Sequence, residues 1–339
     1  MKAIIPVAGA GTRLRPLTYT HPKALIPIAG KTLLSRIVDC LLEAGVTDFV
    51  FVIGYLGEKI RDYIGQAYPD LSCRFIQQPD RLGIGQAVWL TRPVVEPGED
   101  IIIVLGDTVA EYDAEALLSS GVSQIAVRKV DDPRSFGVAE IDFNDRILRV
   151  VEKPLIPKSN MALVGIYYIR ETDLLFQILD RQMTAFADSD KDDLPLTDAL
   201  QEMISEGVHF DAFRVSNWYD CGKKESLLAT NAIFLQQMVE KNRFPTRLVE
   251  LAARHPQAMI IPPVQIAPGC ILRHAIIGPH VSIGENTVIE RSIIRDSIIG
   301  SYAELKDVAL HKSIVGNDAF VRGSSQSLHI GDNTEIDLR

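Results

Sequence analysis

The sequence predicts an α/β fold with a Rossmann-like, mostly parallel sheet, followed by a short left-handed parallel β-helix of hexapeptide repeats. In the first part, apolar segments of strand length alternate with segments of helical periodicity, which is typical of a parallel sheet covered by helices. From about Ile260 onwards, apolar residues recur every five or six positions, often followed by glycine. With 339 residues, two domains are expected: a first domain over 1–240, a linker over 241–259 and the β-helix over 260–339.

The first part is predicted element by element from its apolar pattern. The strands are expected at residues 3–8, 48–53, 72–77 and 101–105, and the helices at 33–45, 60–67 and, after a longer interval, 224–238. Ligands of such sheets bind beyond the carboxyl ends of the strands. Polar segments follow three of these ends: a glycine-rich turn from Gly9, the segment Gln78-Pro79-Asp80, and Gly106-Asp107.

The second part is predicted from its repeat. Ile277, Ile283 and Ile289 are six residues apart, and the same step recurs at Ile299–Leu305, Val315–Val321 and Ile330–Ile336. Such residues would stack inside a triangular coil, with roughly three hexads to a turn and about four turns in all. Because a short solenoid buries little core at its end, we expect it to serve packing and homo-oligomer formation.

Composition and charge exclude several classes of protein. The net charge of −9 argues against binding to nucleic acid or to an anionic membrane. The four cysteines form no C-x-x-C pair, which favours reduced thiols in a cytoplasmic protein. No apolar run approaches the ~20 residues that span a bilayer, and no signal peptide is recognised.

The stretch from Gly9 to Leu17 is the strongest candidate for phosphate binding. Gly9 and Gly11 allow the backbone to approach a ligand closely. Arg13, Arg15 and then Lys23 add cations that suit phosphate oxygens. The stretch is neither the dinucleotide fingerprint nor a Walker loop. By itself it could equally be a strand-end turn with solvated arginines.

Two carboxylates are candidate metal ligands. Asp107 follows the most apolar predicted strand and is not followed by a helix start, which favours a ligand for Mg²⁺ over a helix cap. Asp220 lies among aromatic and small residues in Trp218-Tyr219-Asp220-Cys221-Gly222, and by itself it is as easily structural.

A longer pattern gives a resemblance. The segment 9–18, from Gly9-Ala10-Gly11-Thr12-Arg13 to Thr18, followed by His21-Pro22-Lys23-Ala24-Leu25-Ile26-Pro27, resembles the signature of the sugar-1-phosphate nucleotidyltransferases. It is nearest to the thymidylyl- and uridylyltransferases that act on glucose-1-phosphate. Ala8-Gly9 stands where the family usually has two adjacent glycines. The resemblance implies a nucleoside triphosphate and a hexose-1-phosphate as substrates and Mg²⁺ as cofactor.

The resemblance also implies roles for individual residues. Arg13 and Lys23 would be catalytic, and Asp107 and Asp220 would hold the metal. The nucleotide would contact Ala8, Gly9, Gly11, Thr12, Gln78, Gly83 and Asp107, with Gln78 matching the residue that reads a pyrimidine. The sugar phosphate would contact Gly137, Glu152, Lys153 and Gly165. Asp193 replaces a glutamate of the family pattern, which leaves the contacts of its segment open.

Three alternatives remain at this point. The base and sugar could differ, as in a mannose-1-phosphate guanylyltransferase or an adenylyltransferase. The chain could be a non-catalytic assembly subunit. Finally, the β-helix could be an acyltransferase, for which His274, His280, His311 and His329 are available, although nothing in the sequence singles one out.

Overall fold

The computed structural model describes residues 1–187, 192–240, 250 and 253–323. It divides into two compact units, the first comprising Met1–Pro27 and Lys31–Leu227, the second comprising Ile28–Gly30 and the chain from Leu228 onwards. The domain boundaries expected from the sequence remain a prediction, because most of the expected linker 241–259 lies outside the described residues.

The first unit contains twelve whole strands and most of the helices, and one further strand, Pro27–Ile28, begins in it and ends in the second unit. The strands are β1 (Lys2–Pro6), β2 (Pro27–Ile28), β3 (Lys31–Thr32), β4 (Asp48–Ile53), β5 (Ser72–Gln77), β6 (Ile101–Val104), β7 (Thr108–Glu111), β8 (Ser123–Lys129), β9 (Val138–Ile141), β10 (Ile147–Val151), β11 (Met161–Ile169), β12 (Phe210–Arg214) and β13 (Asn217–Asp220). The α-helices of the chain are α1 (Leu33–Glu43), α2 (Gly57–Ala67), α3 (Ile84–Trp89), α4 (Ala114–Leu118), α5 (Thr172–Ala187), α6 (Leu196–Ser205) and α7 (Lys224–Glu240). The four strands and three helices expected from the apolar pattern are all present, with ends shifted by up to three residues.

The main sheet has a parallel half and a mixed half. Strands β5, β4, β1 and β6 are neighbours in that order, and every pair among them is parallel. On the other side of β6 lies β11, which is antiparallel to β6, β8 and β9. The chain moves outward from β1 to β5 and then returns to the other side of β1 as β6. A crevice beyond the carboxyl ends of β1 and β6 is the usual ligand site of such a sheet.

Burial explains why these strands were recognisable from sequence. Ala3, Ile4 and Ile5 of β1 and all four residues of β6 are buried, as expected for strands covered on both faces. Helix α1 begins where the Thr32 hydroxyl accepts a hydrogen bond from the Ser35 N–H at 3.0 Å. The buried positions of α1 recur at helical spacing, so one face of this helix packs on the core.

The second unit is a parallel β-helix of three sheets. Its strands are β14 (Ala258–Ile260), β15 (Val264–Ile266), β16 (Ile271–Arg273), β17 (Ala275–Ile277), β18 (Val281–Ile283), β19 (Val288–Glu290), β20 (Ile293–Arg295), β21 (Ile298–Ile299), β22 (Glu304–Lys306), β23 (Ala309–His311), β24 (Ile314–Val315) and β25 (Phe320–Arg322). Every third strand pairs in parallel, as β14 does with β17 and then β20. The predicted left-handed β-helix is confirmed as the fold class. The predicted repeat Ile330–Ile336 lies outside the described residues.

Two histidines of the β-helix share one carboxylate. His280 Nδ1–H donates to Asp296 Oδ1 at 2.9 Å, and His311 Nε2 lies 3.2 Å from Asp296 Oδ2. His329, another histidine considered for acyl transfer, lies outside the described residues. Among the described residues, no helix combines the length and the apolar character that crossing a membrane requires.

Candidate active site

The glycine-rich turn leaves β1 and folds back on itself. Gly11 has φ of 59°, a left-handed conformation, and its carbonyl accepts from the Thr18 hydroxyl at 2.8 Å. A Cβ at Gly11 would meet Lys23 Cβ and Thr18 Cγ2 at 3.0 Å each, so glycine lets the turn lie against the Lys23 segment. Nothing lies within 4 Å of a Cβ at Gly9, which is exposed, and Ala8 is buried beneath it.

One predicted nucleotide contact, Thr12, and one predicted catalytic residue, Arg13, are exposed on the turn. Thr12 and Arg13 belong to a single turn of 3₁₀-helix, Thr12–Leu14, which the buried Leu14 side chain anchors. No carboxylate of the described residues pairs with Arg13. Arg15 lies over the Tyr19 ring, 5.0 Å from its centroid. The turn therefore presents the Arg13 guanidinium to solvent without a counter-ion from the part of the chain that the structure describes.

Lys23 and Asp107 meet at the ends of β1 and β6. The Gly106 N–H donates to the Pro6 carbonyl at 3.2 Å, which continues the pairing of the two strands to their carboxyl ends. Lys23 Nζ donates to Asp107 Oδ2 at 2.5 Å, although 84 residues separate them in the chain. The Lys23 side chain is 16% exposed and that of Asp107 is 44% exposed, so the carboxylate is the group open to a ligand.

Asp220 lies beside Asp107 through strand pairing. Strand β13 is antiparallel to β7, and Asp220 pairs with Thr108, the residue after Asp107. Asp220 Oδ1 accepts from the Gly222 N–H at 2.9 Å, which orients the carboxylate. Magnesium is usually bound by one or two carboxylates together with substrate phosphates, and Asp107 and Asp220 could supply such carboxylates. The described residues contain no cluster of three or more acidic, histidine or cysteine side chains suited to a metal.

Gln78 lies in a hydrogen-bond network at the end of β5. Its N–H donates to the Ile53 carbonyl at 2.8 Å, and its side chain is almost fully buried. Its amide Nε2 donates to the Gly83 carbonyl at 3.0 Å and to Gln86 Oε1 at 2.8 Å. The structure thus brings Gln78 and Gly83 together and adds Gln86, to which the sequence analysis gave no role.

The segment around Asp193 packs on Gly83. Leu194 N–H donates to the Leu82 carbonyl and Gly85 N–H to the Leu194 carbonyl, both at 2.8 Å. Gly83 has φ of 98°, and a Cβ there would overlap Asp193 Oδ1 and lie 2.5 Å from the Leu194 carbonyl oxygen. The contacts left open by the shorter Asp193 side chain are therefore contacts with the Gly83 turn.

Two of the four predicted sugar-phosphate contacts, Gly137 and Glu152, lie close to each other. A third, Gly165, lies close to Thr108, the residue after Asp107. A Cβ at Gly137 would lie 3.2 Å from Glu152 Oε2, and that oxygen accepts from the Thr197 hydroxyl at 2.7 Å. Gly165 has φ of 91°, and a Cβ there would lie 2.8 Å from Thr108 Oγ1. Phe136, next to Gly137, packs edge-on against Trp218, with ring centroids 4.8 Å apart.

Lys153 differs from the other three. Its side chain is 57% exposed and pairs only with its neighbour Glu152 at 3.1 Å among the described residues. Thr197 is the second polar side chain to which the sequence analysis gave no role. The signal for it was its place in the segment Leu194-Pro195-Leu196-Thr197-Asp198. For Gln86, the signal was a glutamine three residues after Gly83, on the first turn of a helix.

Three of the four thiols are poorly suited to nucleophilic catalysis. None of the four cysteines forms a disulfide, and burial raises the pKa of Cys40, Cys73 and Cys270. The site is thus built from cations, carboxylates and amides. Such groups bind phosphates and stabilise negative charge rather than forming covalent intermediates.

Comparisons with known proteins agree with this arrangement. Residues 2–237 match the nucleotidyl transferase family. A glucose-1-phosphate thymidylyltransferase of Streptomyces griseus is 29% identical, with 100% of this chain and 99% of that protein aligned. The low-salt glycan biosynthesis nucleotidyltransferase Agl11 of Haloferax volcanii is also 29% identical, with both chains fully covered.

A solved structure agrees as well. It is that of a putative glucose-1-phosphate thymidylyltransferase from Bacillus anthracis in complex with a sucrose. Its TM-score is 0.59 at 27% identity, and the match covers 69% of this chain and 94% of that one. From the family match over residues 2–237, which contains the glycine-rich turn and both carboxylates, we conclude that this chain belongs to the nucleotidyl transferase family.

Proposed function

We propose that this protein transfers a nucleotidyl group from dTTP or UTP to a hexose-1-phosphate, glucose-1-phosphate being the favoured sugar, and releases pyrophosphate. The observation that carries the proposal is the meeting of the glycine turn, the Lys23–Asp107 pair and Asp220 at the carboxyl ends of β1 and β6. The relatives named glucose-1-phosphate thymidylyltransferase support the choice of base and sugar.

The reaction needs charge neutralisation more than proton transfer. An oxygen of the sugar phosphate attacks the α-phosphorus of the triphosphate, and the bond from that phosphorus to the bridging oxygen breaks as pyrophosphate leaves. A phosphate monoester has a second pKa of about 6, so the nucleophile is already anionic at neutral pH. The barrier comes from bringing two anions together and from the negative charge on the α-phosphate.

Each predicted residue has a role in lowering that barrier. Arg13, exposed on the turn, would neutralise the triphosphate and the leaving pyrophosphate. Lys23 would leave Asp107 and reach toward the α-phosphate and the attacking oxygen. Asp107 and Asp220 would hold Mg²⁺, which when bound supplies positive charge to nonbridging phosphate oxygens. Glu152 would accept from sugar hydroxyls, Lys153 would meet the sugar phosphate, and Gly137 and Gly165 would leave room for the hexose.

A panel of substrates tests the proposal. Pyrophosphate release is measured with dTTP, UTP, GTP and ATP, each with glucose-1-phosphate or mannose-1-phosphate. We expect the highest turnover with dTTP or UTP and glucose-1-phosphate. Preferred use of GTP with mannose-1-phosphate would make the protein a guanylyltransferase. If no pair released pyrophosphate, the alternative of a non-catalytic assembly subunit would stand.

Arg13→Ala and Asp107→Ala test the mechanism. We expect each to lower kcat at least ~100-fold because each removes charge stabilisation of the transition state. The matched controls are Arg149→Ala and Asp62→Ala, exposed residues of β10 and α2, which should keep turnover within about two-fold of wild type. Circular dichroism checks that all four variants are folded. Near-normal turnover of either site variant contradicts the mechanism.

The β-helix has its own alternative, and one observation favours testing it. His280 donates to Asp296, and a histidine oriented by a carboxylate is a common general base. If the β-helix transferred acyl groups, thiol would be released from acetyl-CoA in the presence of an amino-sugar phosphate. We propose instead that this unit serves homo-oligomer formation, which sedimentation of the purified chain would test. We also propose that the protein is cytoplasmic.

A further inference from the structure

The orientations of two buried side-chain amides are determined by backbone groups. The Leu82 N–H only donates, and it lies 3.2 Å from Gln86 Oε1, so this end of the Gln86 amide is the oxygen. The Gly83 carbonyl only accepts, and it lies 3.0 Å from Gln78 Nε2, so this end of the Gln78 amide is the nitrogen. The two amides then meet correctly, because Gln78 Nε2 donates to Gln86 Oε1 at 2.8 Å.

This network uses every donor that Gln78 has. An amide nitrogen carries two hydrogens, and one goes to Gly83 and the other to Gln86. The remaining polar atom is Gln78 Oε1, which receives no hydrogen bond from the described residues. Gln78 Oε1 is not among the fully enclosed polar atoms that lack a partner, so part of its surface is accessible although the residue as a whole is 6% exposed. Toward a ligand, Gln78 is therefore an acceptor only.

We propose that Gln86 is a positioning residue that fixes Gln78 as a hydrogen-bond acceptor and so makes the enzyme select uracil or thymine over cytosine. The inference rests on the proposed function and deepens it. Uracil and thymine carry a donor at ring atom N3, whereas cytosine has a lone pair there. If Gln78 Oε1 faces N3, it accepts a hydrogen bond from uracil or thymine. With cytosine, Gln78 Oε1 and N3 are both acceptors and neither is satisfied, which is costly in a buried site. Guanine also has a ring N–H, so the acceptor acts against cytosine and does not by itself reject guanine.

The test compares UTP with CTP, which share the sugar and the triphosphate. For the wild-type enzyme with glucose-1-phosphate, we expect kcat/KM to be at least ~100-fold higher with UTP. In Gln86→Met, the hydrogen bonds that Gln86 Oε1 accepts from the Leu82 N–H and from Gln78 Nε2 are lost. The Gly83 carbonyl alone then holds the Gln78 amide nitrogen, which can turn toward the base more easily. The UTP:CTP ratio should then fall at least ~10-fold, mainly through KM.

Gln86→Glu is the conservative variant that should rescue the preference. A carboxylate accepts from both the Leu82 N–H and Gln78 Nε2, so the ratio should stay within about three-fold of wild type. Gln182→Met is the matched control, since Gln182 is also partly buried and donates to Glu202 at 2.8 Å, away from this network. It should leave the ratio unchanged. A merely structural role for Gln86 would lower activity with UTP and CTP equally.

The outcomes separate this inference from the proposed function. An active wild-type enzyme whose UTP:CTP ratio is below ~10, or is unaffected by Gln86→Met, overturns the inference and leaves the function standing. If no triphosphate is turned over, the proposed function fails. Calorimetric titration of the wild-type protein with UTP and CTP then decides the inference, and equal affinities overturn it.

Discussion

At the scale of single residues, Gly83 shows how one position serves two requirements. The resemblance predicted a glycine against the base. The structure adds that Gly83 has φ of 98° and ψ of 179°, a region that is open essentially to glycine alone, and that Asp193 and Leu194 pack over it. The glycine is therefore needed by the fold of the turn as well as by any ligand.

Gly83→Ala should be strongly destabilising. The methyl group meets the Asp193 carboxylate and the Leu194 backbone in addition to the strained backbone conformation. We expect the free energy of unfolding to fall by more than ~3 kcal/mol and UTP binding to weaken. Gly98→Ala is the control, since Gly98 has φ of 69° with nothing within 4 Å of a Cβ. Gly98→Ala should cost only about 1–2 kcal/mol, the cost of placing alanine in a left-handed backbone conformation. If urea unfolding showed the same loss of unfolding free energy for Gly83→Ala and Gly98→Ala, the packing argument would be contradicted.

At the scale of elements, the β-helix shows what a repeat does and does not specify. The apolar step identified the fold, but the coil is 17 residues long where Arg273 meets Glu290 and 16 where Arg291 meets Asp307, rather than three full hexads. Backbone pairing between coils sets this length. Leu272, Ile289 and Leu305 stack in register, and all three are buried.

Ile289→Ala should weaken this stack. Removing three buried carbons leaves a cavity between Leu272 and Leu305, which costs about 2–5 kcal/mol. Met259→Ala on the outer side of β14, where the side chain is 61% exposed, should change stability by less than about 0.5 kcal/mol. Thermal unfolding followed by circular dichroism distinguishes the two variants. A neutral Ile289→Ala variant would argue against an apolar stack as the source of stability.

At the scale of the whole chain, distant charges meet at the amino end of β1. Lys2 Nζ donates to Glu99 Oε2 at 2.6 Å across 97 residues, and it also lies 3.3 Å from Asp48. Burial raises the pKa of Glu99, but the hydrogen bonds from Lys2, the Glu96 N–H and the chain amino group outweigh it, and the net effect lowers this pKa from its usual value. The charged carboxylate is thus favoured by folding.

The lowered pKa of Glu99 predicts how the stability of the protein depends on pH. A carboxyl whose pKa is lowered by folding stabilises the protein above its unfolded pKa, and the contribution is lost as the pH falls through the folded pKa. Glu99→Gln should therefore cost about 1–3 kcal/mol at pH 7 and clearly less at pH 3. Glu58→Gln, where the side chain is 77% exposed, is the control and should be neutral at both values. A pH-independent cost for Glu99→Gln in urea unfolding would show that the charge is not responsible.

The sequence by itself determined what depends on local pattern. Apolar runs and helical periodicity predicted β1, β4, β5, β6, α1, α2 and α7, and the hexad step predicted the β-helix, because burial of side chains imposes a period on neighbouring residues. The glycine turn and its resemblance predicted the family. Side-chain chemistry and spacing carry these signals within a few tens of residues.

Only the tertiary structure decided which distant groups meet and in which direction they point. The antiparallel β11, the Lys23–Asp107 pair and the place of Asp220 beside Thr108 depend on strand order, which no local pattern encodes. The sequence offered Gln78 with both donors and acceptor available for a base. Packing against Gly83 and Gln86 used the donors and left the acceptor, because buried polar atoms must find partners once the chain has folded.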